Sequence, residues 1–337
     1  MKIDFNHIQS AHCENGVTTN LLRHNGLTQM TEPLAFGIGS GIFYIYIPFL
    51  KINGGPAIAF RSMPGKIFKQ TCNSLGIDIV RKTFNSREKA SQFLDDCLKA
   101  NQPAGCQVGV YYLPYFPKEY RFHFNAHNLV IFGKKDGKYL VSDPVMETVT
   151  ELSEYELDRV RFAKGPLAPN GQIYFPKEKK TVSGEQIKVA IQKGIKGSVR
   201  DMLHIPGNIA GVKGIKYTGQ KIKKWRDKLG LHKAGLYLAQ LVRMQEEIGT
   251  GGGGFRFIYG AFLQQAHQYI PNDQLLDISQ QFTKSGDLWR NAAIQAAAIY
   301  RGRATEQADF NNMGDRLFEI SELEKVAFKE LSKIKWQ

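Results

Sequence analysis

Residues 125–144 read NAHNLVIFGKKDGKYLVSDP, and the Asp-Gly step near the centre sets the topology around it. Two apolar runs, 127–133 and 138–142, flank that step, and Asp-Gly accepts positive φ at both centres of a tight hairpin turn. The runs should therefore pair antiparallel. Such pairing returns Asp143 to the end of the hairpin where His127 begins, so an imidazole and a carboxylate can face one cleft. Pro144 cannot donate to a ladder and ends the second strand beside the aspartate.

The segments on either side continue the mixed pattern. Runs at 57–60, 76–84 and 106–113 are rich in Val, Ile, Phe and Tyr and bounded by Gly, Pro or Asn, the composition of strands. Residues 85–101 and 151–163 carry apolar positions at helical spacing after a cap, so they read as helices. The first 176 residues are therefore α+β with an antiparallel sheet. A stretch dense in Pro, Gly and Lys (164–184) marks a boundary. Beyond it the periodicity is helical at 184–203, 231–248, 255–269, 274–282, 287–300 and 304–335. A chain of 337 residues exceeds the usual span of one core. Two domains are expected, 1–176 and a mostly α-helical 177–337, with no repeat at fixed period.

Composition excludes several classes. Hydrophobic content of 42% and charged content of 23% are those of an ordinary globular protein. Four cysteines without a C-x-x-C pair make neither a disulfide framework nor a zinc or dithiol site. Cys72, Cys97 and Cys106 are expected as packing residues, in a reducing compartment. The N-terminus has no apolar signal core, and the most apolar stretch, 33–50, is broken by three glycines and two prolines. It reads as a buried wall rather than a membrane span, and the expected location is cytoplasmic. Of the net charge of +14, about +11 lies in 179–233, with 14 Lys and Arg against Glu185, Asp201 and Asp227. Either an acidic partner docks there or the charge keeps a helical face wet. Few aromatics interleave and no zinc-finger or RNA-recognition signature is present, so nucleic acid is not the expected partner.

Chemistry enters at HIQSAHCENGVTTNLLRHNGL, residues 7–27. Cys13 heads an amphipathic helix closed by Gly26. A helix N-terminus favours a thiolate through its dipole and free N–H groups, and those same groups can hold an oxyanion. His127 would take the proton and Asp143 would orient the imidazole. His12 should point away from the sulfur. His123, four residues before His127, is a second candidate base if both lie on one strand face. GIGSG at 37–41 lacks the context of a nucleotide loop and reads as close packing against the nucleophile helix. GTGGGG at 249–254 lacks the residues of a P-loop. It reads as a hinge between helices, or as a flexible loop that lines the cleft with Arg256 as a charge clamp. No second ligand cluster accompanies His7, His12 and Cys13, so no metal is expected.

HCENG, TEPLAFGIGSGIF and the 126–144 hairpin, in that order, resemble the papain-like family founded by butirosin biosynthesis protein H. GTGGGGFRFIYGAFLQQA (249–266) is similar to the core of its helical companion domain. The resemblance implies acyl transfer from the phosphopantetheine thioester of an acyl carrier protein to an amine or hydroxyl of a small molecule in natural-product assembly. No other cofactor is implied. Cys13 matches the nucleophile, His127 the acid and base, and Asp143 the orienting carboxylate. Papain-like enzymes often place a glutamine before the cysteine as oxyanion donor. Here Gln9 lies four residues upstream and His7 six, and either donates to the oxyanion or supports the loop. Glu32 either caps a helix or binds an acceptor amine. Lys221, Lys223 and Lys224, in the basic stretch, are the docking residues expected for an acidic carrier. A peptidase or thioesterase would use the same triad with water as acceptor, and a non-catalytic binding module would use none of it.

Overall fold

A computed structural model of the chain describes residues 1–52 and 54–336. Its elements begin with α1 (Cys13–His24), α2 (Glu32–Ile38), β1 (Ile42–Ile52), β2 (Gly55–Arg61), α3 (Lys66–Ser74), β3 (Ile79–Lys82) and α4 (Arg87–Lys99). β4 (Ala104–Val108), β5 (His127–Lys135), β6 (Lys138–Ser142), β7 (Thr150–Ser153), α5 (Glu154–Arg161) and β8 (Ile173–Pro176) follow. The remainder is helical: α6 (Gly184–Leu203), α7 (Gly211–Ile222), α8 (Trp225–Val242), α9 (Arg256–Tyr269), α10 (Asp273–Tyr300) and α11 (Gln307–Lys333). The chain forms two compact units, Met1–Ala35 with Ile67–Ser183, and Phe36–Lys66 with the chain from Gly184 onward. The sequence-based boundary at 176/177 is a single cut, whereas the observed division also gives 36–66 to the helical unit. The reason is packing: the Tyr44 hydroxyl of β1 donates to Thr218 Oγ1 of α7 at 2.8 Å, and Phe60 of β2 meets Trp289 of α10 edge-on.

The first unit is built on a six-stranded antiparallel sheet in the order β3-β8-β4-β5-β6-β7. One face carries Ala104, Cys106, Val108, Leu129, Ile131, Tyr139, Val141 and Ile173, which pack against Leu94 and Leu98 of α4 and Leu157 and Val160 of α5. Each fully buried Leu or Ile there contributes about 1.5–3 kcal/mol. The β5–β6 hairpin turns at Asp136 and Gly137, both at positive φ, with Lys135 opposite Lys138. This is the predicted turn. The segment from 151 is not helical from its start: Thr150–Ser153 pair with β6 as β7, and Ser153 then caps α5 in a box with Glu156. Strand 106–113 likewise ends at Val108 and tightens into a 3-10 turn at Val110–Tyr112.

In the second unit, β1 and β2 form an antiparallel ribbon among helices α6–α11. GIGSG packs closely, as expected, but in this unit rather than on the nucleophile helix. A Cβ on Gly37 would meet the Phe262 ring at 2.1 Å, and one on Gly194 of α6 would meet Gly37 O at 2.3 Å. The predicted break between 282 and 287 is absent, because Gly286 stays helical and gives room to the Phe257 ring. Helix α7, which the periodicity does not predict, crosses α11 where Gly219 and Gly314 bring their backbones together. The glycine run before α9 is not an open lid, since Gly253 and Gly254 are buried and a Cβ on Gly254 would collide with Phe60. No helix among the described residues is long and apolar enough to cross a membrane.

Candidate active site

Cys13 is the first residue of α1, and its position is fixed from several directions. His12 is the N-cap, its buried Nδ1 accepting from Asn15 N at 3.3 Å. The Glu32 carboxylate, at the start of α2, accepts from Ala11 N at 2.9 Å, His12 N at 2.8 Å and Asn15 Nδ2 at 3.5 Å. Burial pushes the Glu32 carboxyl up from its ordinary value, and the three donors pull the other way. The carboxylate thus holds the approach to Cys13 in place. Glu14 reaches the other way and accepts from Ile67 N and Phe68 N at the head of α3.

The turn after β6 is tied to the same approach. Ser10 N donates to Pro144 O at 2.7 Å, and Pro144 packs where a Cβ on Gly16 of α1 would stand 2.4 Å away. His7 bonds Ser142 Oγ through Nδ1 at 2.7 Å and donates to Met146 O through Nε2 at 3.1 Å. Both His7 nitrogens are spent on the turn that carries Asp143. Of the two roles open to His7, these contacts are those of a support. Gln9 is exposed.

At the centre, His127 Nε2 lies 2.7 Å from Asp143 Oδ2, and both residues are buried. Cys13 lies close enough to act on the same imidazole. With Nε2 on the carboxylate, Nδ1 is the nitrogen available to sulfur. Burial alone would push the imidazole down. Asp143 and Cys13 more than offset that and raise it to about 10. The hairpin thus delivers the juxtaposition read from its sequence.

Two residues at this centre carry no local signal. The Tyr115 hydroxyl donates to Asp143 Oδ2 at 2.8 Å, and Asn128 Nδ2 faces Cys13 Sγ at 3.9 Å. Tyr115 belongs to an aromatic loop whose Phe116 ring lies edge-on to His127. Burial and then the Asp143 charge hold the Tyr115 phenol well above its ordinary value, so it remains a donor.

Other candidates lie elsewhere. His123 is exposed, precedes β5, and stacks on Tyr111 at 4.1 Å, so it is not a second base on the strand. Arg256 is fully buried in a bidentate pair with Glu324, at 2.8 and 2.9 Å, and clamps nothing outside its own core. The Lys223 ammonium pairs with Asp315 and lies over the Phe318 ring, so it is not a free docking charge. Lys221 covers the Tyr217 ring, and Lys224 is exposed. Cys72, Cys97 and Cys106 are buried, and burial raises all three thiols, Cys97 to about 11 and Cys106 to about 12. No cluster of His, Cys, Asp or Glu among the described residues could hold a metal ion.

A cysteine at a helix head, facing a histidine on an antiparallel sheet that is held by a carboxylate, defines a papain-like arrangement. The family model described as "Butirosin biosynthesis protein H, N-terminal" matches residues 12–144, and the one described as "Domain of unknown function (DUF4872)" matches 155–331. The chain belongs to this butirosin biosynthesis protein H-like family. No curated protein matches it. A crystal structure from Bacillus anthracis described as a C39-like peptidase matches with 16% identity and a TM-score of 0.35, over 53% of this chain and 100% of that one.

Proposed function

We propose that the protein is a cysteine acyltransferase that moves an acyl group from a carrier-protein thioester, through acyl-Cys13, to an amine or hydroxyl of a small molecule. The observation that carries this reading is the His127–Asp143 pair, 2.7 Å apart and buried, at the centre where Cys13 heads α1. Cys13 thiolate adds to the thioester carbonyl, and the positive end of the α1 dipole stabilises the oxyanion. Collapse expels the pantetheine thiolate, which takes a proton from His127. His127 then removes a proton from the acceptor as it attacks acyl-Cys13, and the second collapse releases an amide or ester and restores the thiolate.

The donor is proposed to be an acyl carrier protein, with the phosphopantetheine as its tether and no cofactor resident in the enzyme. Its acidic surface would meet the basic stretch 179–233, where complementarity speeds encounter more than it deepens affinity. A reducing, cytoplasmic setting suits four free cysteines. The same triad serves a peptidase or thioesterase when water takes the acceptor's place, so one experiment must separate the two. Intact-mass spectrometry after mixing with acyl-loaded carrier should show an acyl adduct on Cys13 that an added amine discharges faster than water does. Discharge at one rate with or without acceptors would make the protein a hydrolase. No adduct from any thioester, with slow uniform alkylation of all four cysteines, would make it a binding module.

A further inference from the structure

Asn128 follows His127 and is buried on the sheet face opposite the Leu129 and Ile131 core. Its amide has two N–H donors and one oxygen. One N–H is given to Ala126 O at 3.1 Å, and the amide nitrogen lies 3.9 Å from Cys13 Sγ. The oxygen accepts from the Tyr174 hydroxyl at 2.8 Å. This pattern fixes which way the amide points. A flipped amide would set its oxygen against the Ala126 carbonyl, which only accepts, and would take the donor away from the sulfur.

Tyr174 reaches Asn128 from β8, with β4 between them. The passage exists because its partner on β4 is Gly105, where a Cβ would stand 2.6 Å from the Tyr174 ring. A glycine inside a central strand weakens that strand and marks a close approach. Here the approach is a tyrosine laid across the sheet to hold one amide. Burial, followed by the nearby Glu14 and Cys13, holds the Tyr174 phenol well above its ordinary value, so it donates throughout the working range.

We infer that Asn128 is a positioning residue for the nucleophile: its amide, oriented by Tyr174 across Gly105, donates to the Cys13 thiolate. This rests on the reading of Cys13 as a thiolate nucleophile and adds the group that stabilises it in the resting enzyme. The other titratable groups around the sulfur are His127 and, behind it, Asp143; Tyr174 from β8; and Glu14 and His12 on α1 itself, with Glu32 binding the backbone at His12. Two of them are already spoken for, Glu14 by the head of α3 and Glu32 by the loop before α1. Asn128 donates to the sulfur from its amide, beside His127.

The test is carbamidomethylation of Cys13 by iodoacetamide in the full-length protein, followed by mass spectrometry at pH 6 and pH 9.5, with thermal unfolding alongside. Wild type should react at pH 6 at a rate within a few-fold of that at pH 9.5. Asn128→Leu should lose about tenfold at pH 6, as expected for a lost hydrogen bond to a charged group. At pH 9.5, where most ordinary thiols are ionised, it should change less than twofold. Asn128→Asp, of the same shape but with an added charge and no donor, should lose more. Tyr174→Phe, which keeps the amide but frees its orientation, should lose two- to threefold, and this variant decides if Asn128→Leu does not fold. Variants that match wild type at pH 6 while wild type reacts rapidly would overturn the role of Asn128 alone. A wild-type Cys13 that is slow at pH 6 would overturn the thiolate reading and this inference together.

Discussion

His127 Nε2 and Asp143 Oδ2 face each other at 2.7 Å because β6 returns along β5 from a two-residue turn. The carboxylate takes one side of the imidazole and leaves the other to sulfur. Asp143→Asn keeps the shape and removes the charge. The expected result is a loss of about 10³–10⁴-fold in the rate of Cys13 acylation, the scale found when a histidine loses its orienting aspartate. Stopped mixing with an acyl thioester and quenched mass spectrometry measures it.

The same contact makes stability depend on pH. The His127 imidazole rises from 6.5 to about 10 on folding, so between those values the folded protein holds a proton that the unfolded chain releases. The stabilisation is complete below pH 6.5 and is lost as pH rises toward 10. The proposed Cys13 thiolate offsets this below about pH 8.5, where unfolded thiols still keep the proton it gives up on folding, so urea midpoints for wild type should fall between about pH 8.5 and 10. His127→Ala should show a flatter profile there, and equal slopes in the two proteins would contradict the coupling.

Tyr115 donates to the same carboxylate oxygen as His127. In Tyr115→Phe the oxygen keeps its histidine, so the protein should fold with a loss of about 1 kcal/mol, the net value of one hydrogen bond. Acylation of Cys13 should slow several-fold as the carboxylate gains freedom. A urea titration and a single-turnover assay read the two effects separately.

The hairpin was legible because its signals are local: Asp136-Gly137 fixes the turn, and alternation fixes which side chains share a face. The place of Cys13 at the head of α1 was legible from the amphipathic run that Gly26 closes, while its cap, His12, was not. Tyr115 and Asn128 were not, since each acts on a partner 28 and 115 residues away, respectively. Nothing in the neighbours of either names that partner. Arg256 was misread because a charged residue after a glycine run suggests a loop, whereas Glu324, far along the chain, takes it into the core. Helix α7 was missed for a related reason. Gly211, Gly214 and Gly219 lower its intrinsic propensity, and only the crossing with α11 shows what the small residues are for.

Arg256 and Glu324 give the strongest stability prediction. Glu324 Oε1 also accepts from Ser285 Oγ and Trp289 Nε1, and Arg256 Nη1 donates to Gly254 O. Arg256→Leu leaves a buried carboxylate without its cation and should cost about 3–5 kcal/mol. Chemical denaturation should show the loss in the helical unit, reported by Trp225 and Trp289, both buried there.

Docking of an acidic carrier is tested at charges that the fold does not consume. Lys223 is unsuitable, because reversing it would set a carboxylate beside Asp315 and perturb α7 against α11. Lys224 is exposed, and the Lys221 ammonium rests over the Tyr217 ring, 4.7 Å from its centroid, a contact on its own helix with no carboxylate partner among the described residues that reversal would set against. Lys221→Glu with Lys224→Glu changes the local charge by four without touching the triad. If this face steers the carrier, the pair should raise KM for carrier-bound acyl groups several-fold and leave kcat unchanged. It should also flatten the dependence of kcat/KM on salt, since encounter rates are the quantity that screening controls. A free acyl-pantetheine thioester, which lacks the protein surface, should react equally with both forms. Equal KM values for the carrier in wild type and variant would place the docking surface elsewhere and leave the chemistry at Cys13 intact.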